Sequence, residues 1–165
     1  MEVQDHTTSI ACQIRPATRR DLEIIGDLWV ELMDFHAGID SRFRIPVNSR
    51  TGYIRILHNA LHDEHYRVLV AEWGGTIVGY IMGNIAENPP INPRFGFIDD
   101  LCVTTVHRRA GIGARLVRAL CQWFRERGLT SVQLNVAHLN PVSQAFWRKQ
   151  GCADFLDRMW MNLDR

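Results

Sequence analysis

The segment Arg108-Arg109-Ala110-Gly111-Ile112-Gly113-Ala114 stands between a β-rich apolar run and an amphipathic helical one. Two glycines at such a junction let the backbone approach an anion closely, with the unpaired N–H groups of the first helical turn and the positive end of the helix dipole directed at it. Arg108, Arg109 and Arg115 add positive charge nearby. The chemistry that suits this arrangement is the binding of a phosphate or pyrophosphate. Two familiar nucleotide loops do not match: no Gly-Lys-Ser/Thr follows the glycines, and Leu116 stands where a dinucleotide fingerprint has its third glycine. ATP and NAD are therefore disfavoured. Spacing alone leaves a plain tight turn into a helix as open as an anion site.

The elements that must position this loop follow from periodicity. A first strand over 10–15 stops at Pro16, and a helix follows, started by Thr18 and Asp21 as an approximate capping box and carried by Leu22, Ile25, Leu28, Leu32 and His36. Gly38 is its expected terminator, and a shorter helix is expected over 53–61 after a polar turn. Strands over 67–73 and 76–83 flank Gly74-Gly75 as a hairpin, the proline-rich stretch 87–94 reads as a loop, and 95–103 as the next strand. Leu116, Leu120 and Phe124 make one apolar row of a helix that Gly128 ends. A strand over 131–137, a helix from Asn140-Pro141 to Lys149 closed by Gly151, and a last strand over 155–163 complete an α/β order.

The loop resembles the signature of the GNAT acyltransferase superfamily, Q/R-x-x-G-x-G/A, as Arg108-x-x-Gly111-x-Gly113. The family's preceding acid-acid-Leu-x-Val strand is matched by Asp99-Asp100-Leu101-Cys102-Val103. Its N-x-x-A-x-x-F-Y-x-x-x-G-F block is approximated by Asn140, Ser143, Phe146, Trp147, Gly151 and Cys152. With the element order, these blocks cover nearly the whole chain. The resemblance implies a GNAT fold, with a central mixed sheet whose middle strands splay apart and are flanked by helices.

It also implies acetyl-CoA, or another acyl-CoA, as cosubstrate and no metal. The pantetheine arm is expected to bond main-chain groups of Leu101, Cys102 and Val103. The N–H groups of Arg108, Arg109, Ala110, Gly111, Ile112, Gly113 and Ala114 are expected to hold the pyrophosphate, with Asn140 and Ser143 beside the cofactor. Asn140 before Pro141 is equally an ordinary helix start. The implied reaction is direct attack by a primary amine of a small molecule or protein on the thioester.

An alkylammonium with a pKa near ~10.4 must first lose a proton. Asp99 is the candidate base or cation anchor, expected on the strand face of Leu101 and Val103, with Asp100 on the other. Phe35, His36 and Asp100 are the candidate substrate contacts, with Asp40 nearby and 87–94 as a rim. His36 also reads as a core histidine. Trp147 occupies the position where the family usually has a tyrosine acid, and tryptophan cannot donate a proton to a thiolate. Tyr80 is a substitute candidate, and the departure motivates a rival reading as an acyl-CoA sensor without turnover.

The 165 residues, 46% hydrophobic with 19 basic against 18 acidic side chains, suit a single domain over 9–165 after a loose tail over 1–8. Near-neutral charge offers no general field for nucleic acid or an anionic membrane. The acidic, polar opening is not a secretory signal and no run reaches a membrane span, so a soluble cytoplasmic protein is expected. Four scattered cysteines without a C-x-x-C pair argue against a zinc cluster. The family and the aromatic C-terminal segment around Trp160 lead to the expectation of a homodimer.

Overall fold

A computed structural model describes residues 11–90 and 92–163, and the chain divides after Asn135 into two compact units. The first holds β1 (Gln13–Pro16), α1 (Leu22–Ile39), α2 (Ser49–Ala60), β2 (Tyr66–Trp73), β3 (Thr76–Asn88), β4 (Asn92–Val103), α3 (Ile112–Glu126) and β5 (Val132–Leu134). The second holds α4 (Pro141–Lys149). The strands lie in chain order in one mixed sheet, antiparallel from β1 to β4 and parallel between β4 and β5. The parallel pair needs a crossover, and α3 supplies it.

Strand alternation divides the sheet into two apolar faces. Val68, Val70, Tyr80, Met82 and Cys102 form one core with Leu22, Ile25 and Leu28 of α1 and with Tyr53 and Leu57 of α2. The other face receives Leu116, Leu120 and Phe124 of α3, all buried. Gly83 and Gly96 make that approach possible, since a Cβ on Gly96 would lie 2.6 Å from the Phe124 ring and one on Gly83 2.8 Å from Leu120. Gly96→Ala is accordingly expected to destabilise the fold by about 1–3 kcal/mol through overpacking. The check is a lower urea midpoint at unchanged slope.

The entry to α1 follows the expected capping box, with Thr18 and Asp21 bonded reciprocally. Asp21 is 5% exposed, and Arg15 bonds both of its oxygens at 2.8 and 2.9 Å. That bidentate pair, with Thr18, holds the carboxyl down at about 2.

Several boundaries differ from the sequence expectation. Helix α1 continues through Gly38, whose φ is not positive, and stops at Asp40. Helix α2 begins at Ser49, inside the expected turn, and β5 keeps only three residues of the expected strand. Strands β3 and β4 extend to Asn88 and from Asn92, so the expected loop shrinks to a short turn. No strand forms over 155–163: Phe155-Leu156 and Asp157-Arg158 break the alternation, so no single apolar face exists to pair. The homodimer expectation loses that strand as support. The expected tail over 1–8, and Ile10, lie outside the described residues.

Candidate active site

Helix α3 is capped by Gly111 at φ 76, a residue with no side chain to accept from the first turn. Arg115 is the first residue whose N–H reaches an intrahelical carbonyl, that of Gly111 at 3.1 Å. The amides of Ile112, Gly113 and Ala114 therefore have no intrahelical partner. Arg109 also adopts a left-handed conformation, φ 64, so the main chain turns sharply twice before the helix. A Cβ on Gly111 would meet no atom within 4 Å. Conformation, rather than crowding, requires glycine there, and the space beside it is open. The open cradle of helix-terminal amides fits a pyrophosphate.

The arginine side chains are arranged differently from their sequence positions. Arg108 turns back onto the sheet: its Nε donates to the Val103 carbonyl at 2.9 Å, Nη2 pairs with Glu31 at 3.3 Å, and the guanidinium lies 5.7 Å from the Phe35 ring centroid. Arg115 donates to the Cys12 carbonyl at 2.6 Å. Both are tethered to other elements, while the Arg109 side chain is exposed.

The β4–β5 ladder joins Gly96, Phe97 and Ile98 to Val132, Gln133 and Leu134 and goes no further. Leu101, Cys102 and Val103 continue to pair with Ile81, Tyr80 and Gly79 on their other side. Past Ile98, the outer edge of β4 has no strand partner among the described residues, and this edge leads to the amide loop. It suits an extended ligand lying like an added strand. Burial pushes the Cys102 thiol up to about 12, which makes it a core side chain rather than a nucleophile.

The two carboxylates are placed by a β-bulge. Met82 pairs with Asp100 and Gly83 with Ile98, so Asp99 is the extra residue on β4. The bulge changes the phase of alternation. Asp99 reaches the Asn84 amide at 3.0 and 2.9 Å, on the same sheet face as Tyr80 and Met82, and Asp100 accepts from the Tyr53 hydroxyl at 2.8 Å. Both therefore lie on the α1/α2 face, correcting the expectation that Asp99 shares a face with Leu101 and Val103 and that Asp100 opposes it. Burial pushes Asp100 up to about 6, against the Tyr53 hydrogen bond and with help from Asp99. Desolvation also raises Asp99, against its Asn84 bond.

Behind Asp100 the hydroxyls of Tyr53 and Tyr80 lie 3.1 Å apart, and Trp29 stacks on the Tyr53 ring with centroids 4.4 Å apart. Tyr80 is fully buried with its hydroxyl committed to Tyr53, so it is not placed to protonate a departing thiolate. Sequence reasoning missed Tyr53 and Asn84. Tyr53 carried only a helical-spacing signal, and Asn84 none.

At the C-terminal end of α1, His36 packs against Phe35 and Phe43 with ring centroids 5.9 and 5.2 Å away. Its Nδ1 is buried without a partner among the described residues, and burial lowers its pKa. It packs within this aromatic cluster, while Phe35 remains 41% exposed. Asp40 bonds Arg42 and starts a short 3-10 turn. In the second unit the Asn140 side chain accepts from the Ser143 N–H at 3.0 Å, which is the helix-start geometry of α4.

Comparison with known proteins agrees with this architecture. The family described as "Acetyltransferase (GNAT) family" matches residues 29–152. A curated rat protein, N-acetyltransferase 8F1, is 28% identical over 120 residues, covering 73% of the chain and 54% of that protein, and the match to a mouse relative, probable N-acetyltransferase family 8 member 5, covers 39% of its length. Among solved structures, a tetramutant of the BH1408 protein from Bacillus halodurans superposes with a TM-score of 0.82 at 22% identity, covering 92% and 99% of the two chains. A predicted acetyltransferase with acetyl-CoA from Clostridium acetobutylicum gives 0.76 at 19% identity, covering 93% and 97%. These likenesses show a shared fold. Among the described residues no helix is long and apolar enough to cross a membrane.

Proposed function

The chain belongs to the acetyltransferase (GNAT) family, and on that premise we propose that it transfers the acetyl group of acetyl-CoA to a primary amine. The observation that carries this reading is the outer β4 edge, without a strand partner past Ile98 among the described residues and running into the amide loop from Arg108 to Ala114. Main-chain groups of Leu101 to Val103 hold the pantetheine arm, and the amides around Gly111 hold the pyrophosphate. In that role Arg108 contributes its main chain, because its guanidinium is paired with Glu31. Bound acetyl-CoA supplies an acyl carbon open to attack and a thiol leaving group.

Asp99 and Asp100 face the amine, drawing in its ammonium form, and Phe35 with the His36 end of α1 forms a rim. The acceptor is a small molecule or a protein amine. A sensor without turnover is the second reading, favoured by Trp147 at the position of the family's usual acid.

Thermal unfolding with acetyl-CoA, dephospho-CoA, ATP and NAD tests the cofactor. At ~100 times its dissociation constant a ligand stabilises by about 2.7 kcal/mol, which at this size raises Tm by roughly 5–10 °C. The shift is expected with acetyl-CoA, and its absence, or an equal shift with ATP, overturns the reading. Free CoA thiol released only when a primary amine is present then supports transfer over sensing.

A further inference from the structure

Asp100 is a half-buried carboxylate that forms no ion pair among the described residues; its hydrogen-bond partner is the Tyr53 hydroxyl. An unpaired buried carboxylate is costly, and folds retain one where it does something. Tyr53 is itself held firmly: it is 5% exposed, comes from α2, and lies flat on Trp29 of α1 with 7° between the rings. With Asp100 ionised, Tyr53 donates to it and is free to accept from Tyr80, so the two hydroxyls align along one chain that ends at the carboxylate.

The groups facing Asp100 are Asp99 and Cys102 from β4, Tyr80 from β3 and Tyr53 from α2, while Glu31 of α1 and Arg108 act on Cys102 next to it. An arriving ammonium would be the cation this cluster lacks. Asp99 is exposed at the bulge and tied to Asn84.

We propose that Tyr53, backed by Tyr80, is a positioning residue that aims Asp100 to take the proton of the acceptor amine, leaving Asp99 to hold the cation. This inference rests on the acetyltransferase reading. The ammonium N–H bond breaks and its proton forms an O–H bond on Asp100. The freed nitrogen lone pair forms a bond to the thioester carbonyl carbon, and the C–S bond breaks with its electron pair on sulfur. The second nitrogen proton passes through solvent to the thiolate, and Asp100 returns the first to water. No oxidant or reductant is needed.

The test begins on the free protein, by ¹³C NMR titration of its aspartate carboxyls in wild type, Asp99→Asn, Asp100→Asn, Tyr53→Phe and Tyr80→Phe. One carboxyl is expected to titrate near 6, to vanish in Asp100→Asn, and to move up by about one unit in Tyr53→Phe, which loses the hydrogen bond but keeps the stacked ring. Tyr80→Phe should give a smaller move in the same direction, and serves if Tyr53→Phe does not fold.

Turnover with acetyl-CoA and n-butylamine, putrescine or lysine amide supplies the second readout. The acidic limb of kcat/KM should follow the same shift, with the rate falling about twofold at pH 7 and about tenfold at pH 5, recovering at higher pH, and acetyl-CoA affinity unchanged. A merely structural Tyr53 would lower the rate equally at every pH. A wild type that turns over while its acidic limb is unmoved by Tyr53→Phe, or a carboxyl near 6 that persists in Asp100→Asn, overturns this inference alone. A wild type that neither binds acetyl-CoA nor releases its thiol overturns the acetyltransferase reading and the inference with it.

Discussion

Gly111→Asp is expected to weaken acetyl-CoA binding about a hundredfold while leaving the fold intact. The two effects separate for physical reasons. At φ 76 a non-glycine residue is strained by roughly 1–2 kcal/mol, and aspartate tolerates this conformation better than most. A Cβ there meets nothing, so no clash adds to the strain. A carboxylate at the start of α3 also accepts from its first-turn amides and favours the dipole, which offsets part of the strain. Those are the amides proposed to hold the pyrophosphate. The same carboxylate therefore fills the anion site and repels the anion, by about 3 kcal/mol at a few ångströms and an effective dielectric near 20, or about a hundredfold. Gly111→Ala carries the strain without the charge and should lose far less. Calorimetric titration of both variants with acetyl-CoA makes the comparison, and an Asp variant that binds like the Ala variant would move the anion site elsewhere.

The parts of this fold that were legible in the sequence are those fixed by neighbours along the chain. The Gly74-Gly75 hairpin, the Gly111 entry to α3, and α4 from Pro141 to Lys149 with Gly151 after it each follow from a local conformational need, and each glycine has positive φ. The site's side-chain arrangement was not local. Glu31 lies 77 residues from Arg108, and Tyr53 lies 47 residues before Asp100, so no spacing announces either bond. The bulge at Asp99 is a matter of register between β3 and β4, and strict alternation placed the two carboxylates on opposite faces because it allows for no extra residue. The short β5 and the missing C-terminal strand fail for a related reason, since a strand is completed by its partner rather than by its own composition.

Asp100→Asn is expected to stabilise the fold near pH 8 while it removes the proposed proton acceptor. Asp100 titrates at about 6 in the fold against an ordinary 3.8. A group whose pKa is raised by folding contributes stability that is fully present below about 3.8 and is lost as pH rises through 6. Above that, a shift of about two units corresponds to about 3 kcal/mol of destabilisation, which a neutral amide avoids apart from a weaker bond to Tyr53. The variant should therefore melt about 5 °C higher than wild type at pH 8, with the gain vanishing below pH 4. Asp21 has the opposite sign: its pKa is lowered to about 2, so its stabilising contribution is present above 3.8 and lost as pH falls through 2. The difference between these two aspartates is the cation: Arg15 sits on Asp21, and among the described residues no basic side chain forms an ion pair with Asp100. The fold neutralises the Asp21 carboxylate and leaves that of Asp100 without a cation, which is what the proposed arrival of a substrate ammonium requires. Loss of stability in Asp100→Asn at pH 8 would instead make Asp100 a structural partner of Tyr53, and its role as proton acceptor would fall.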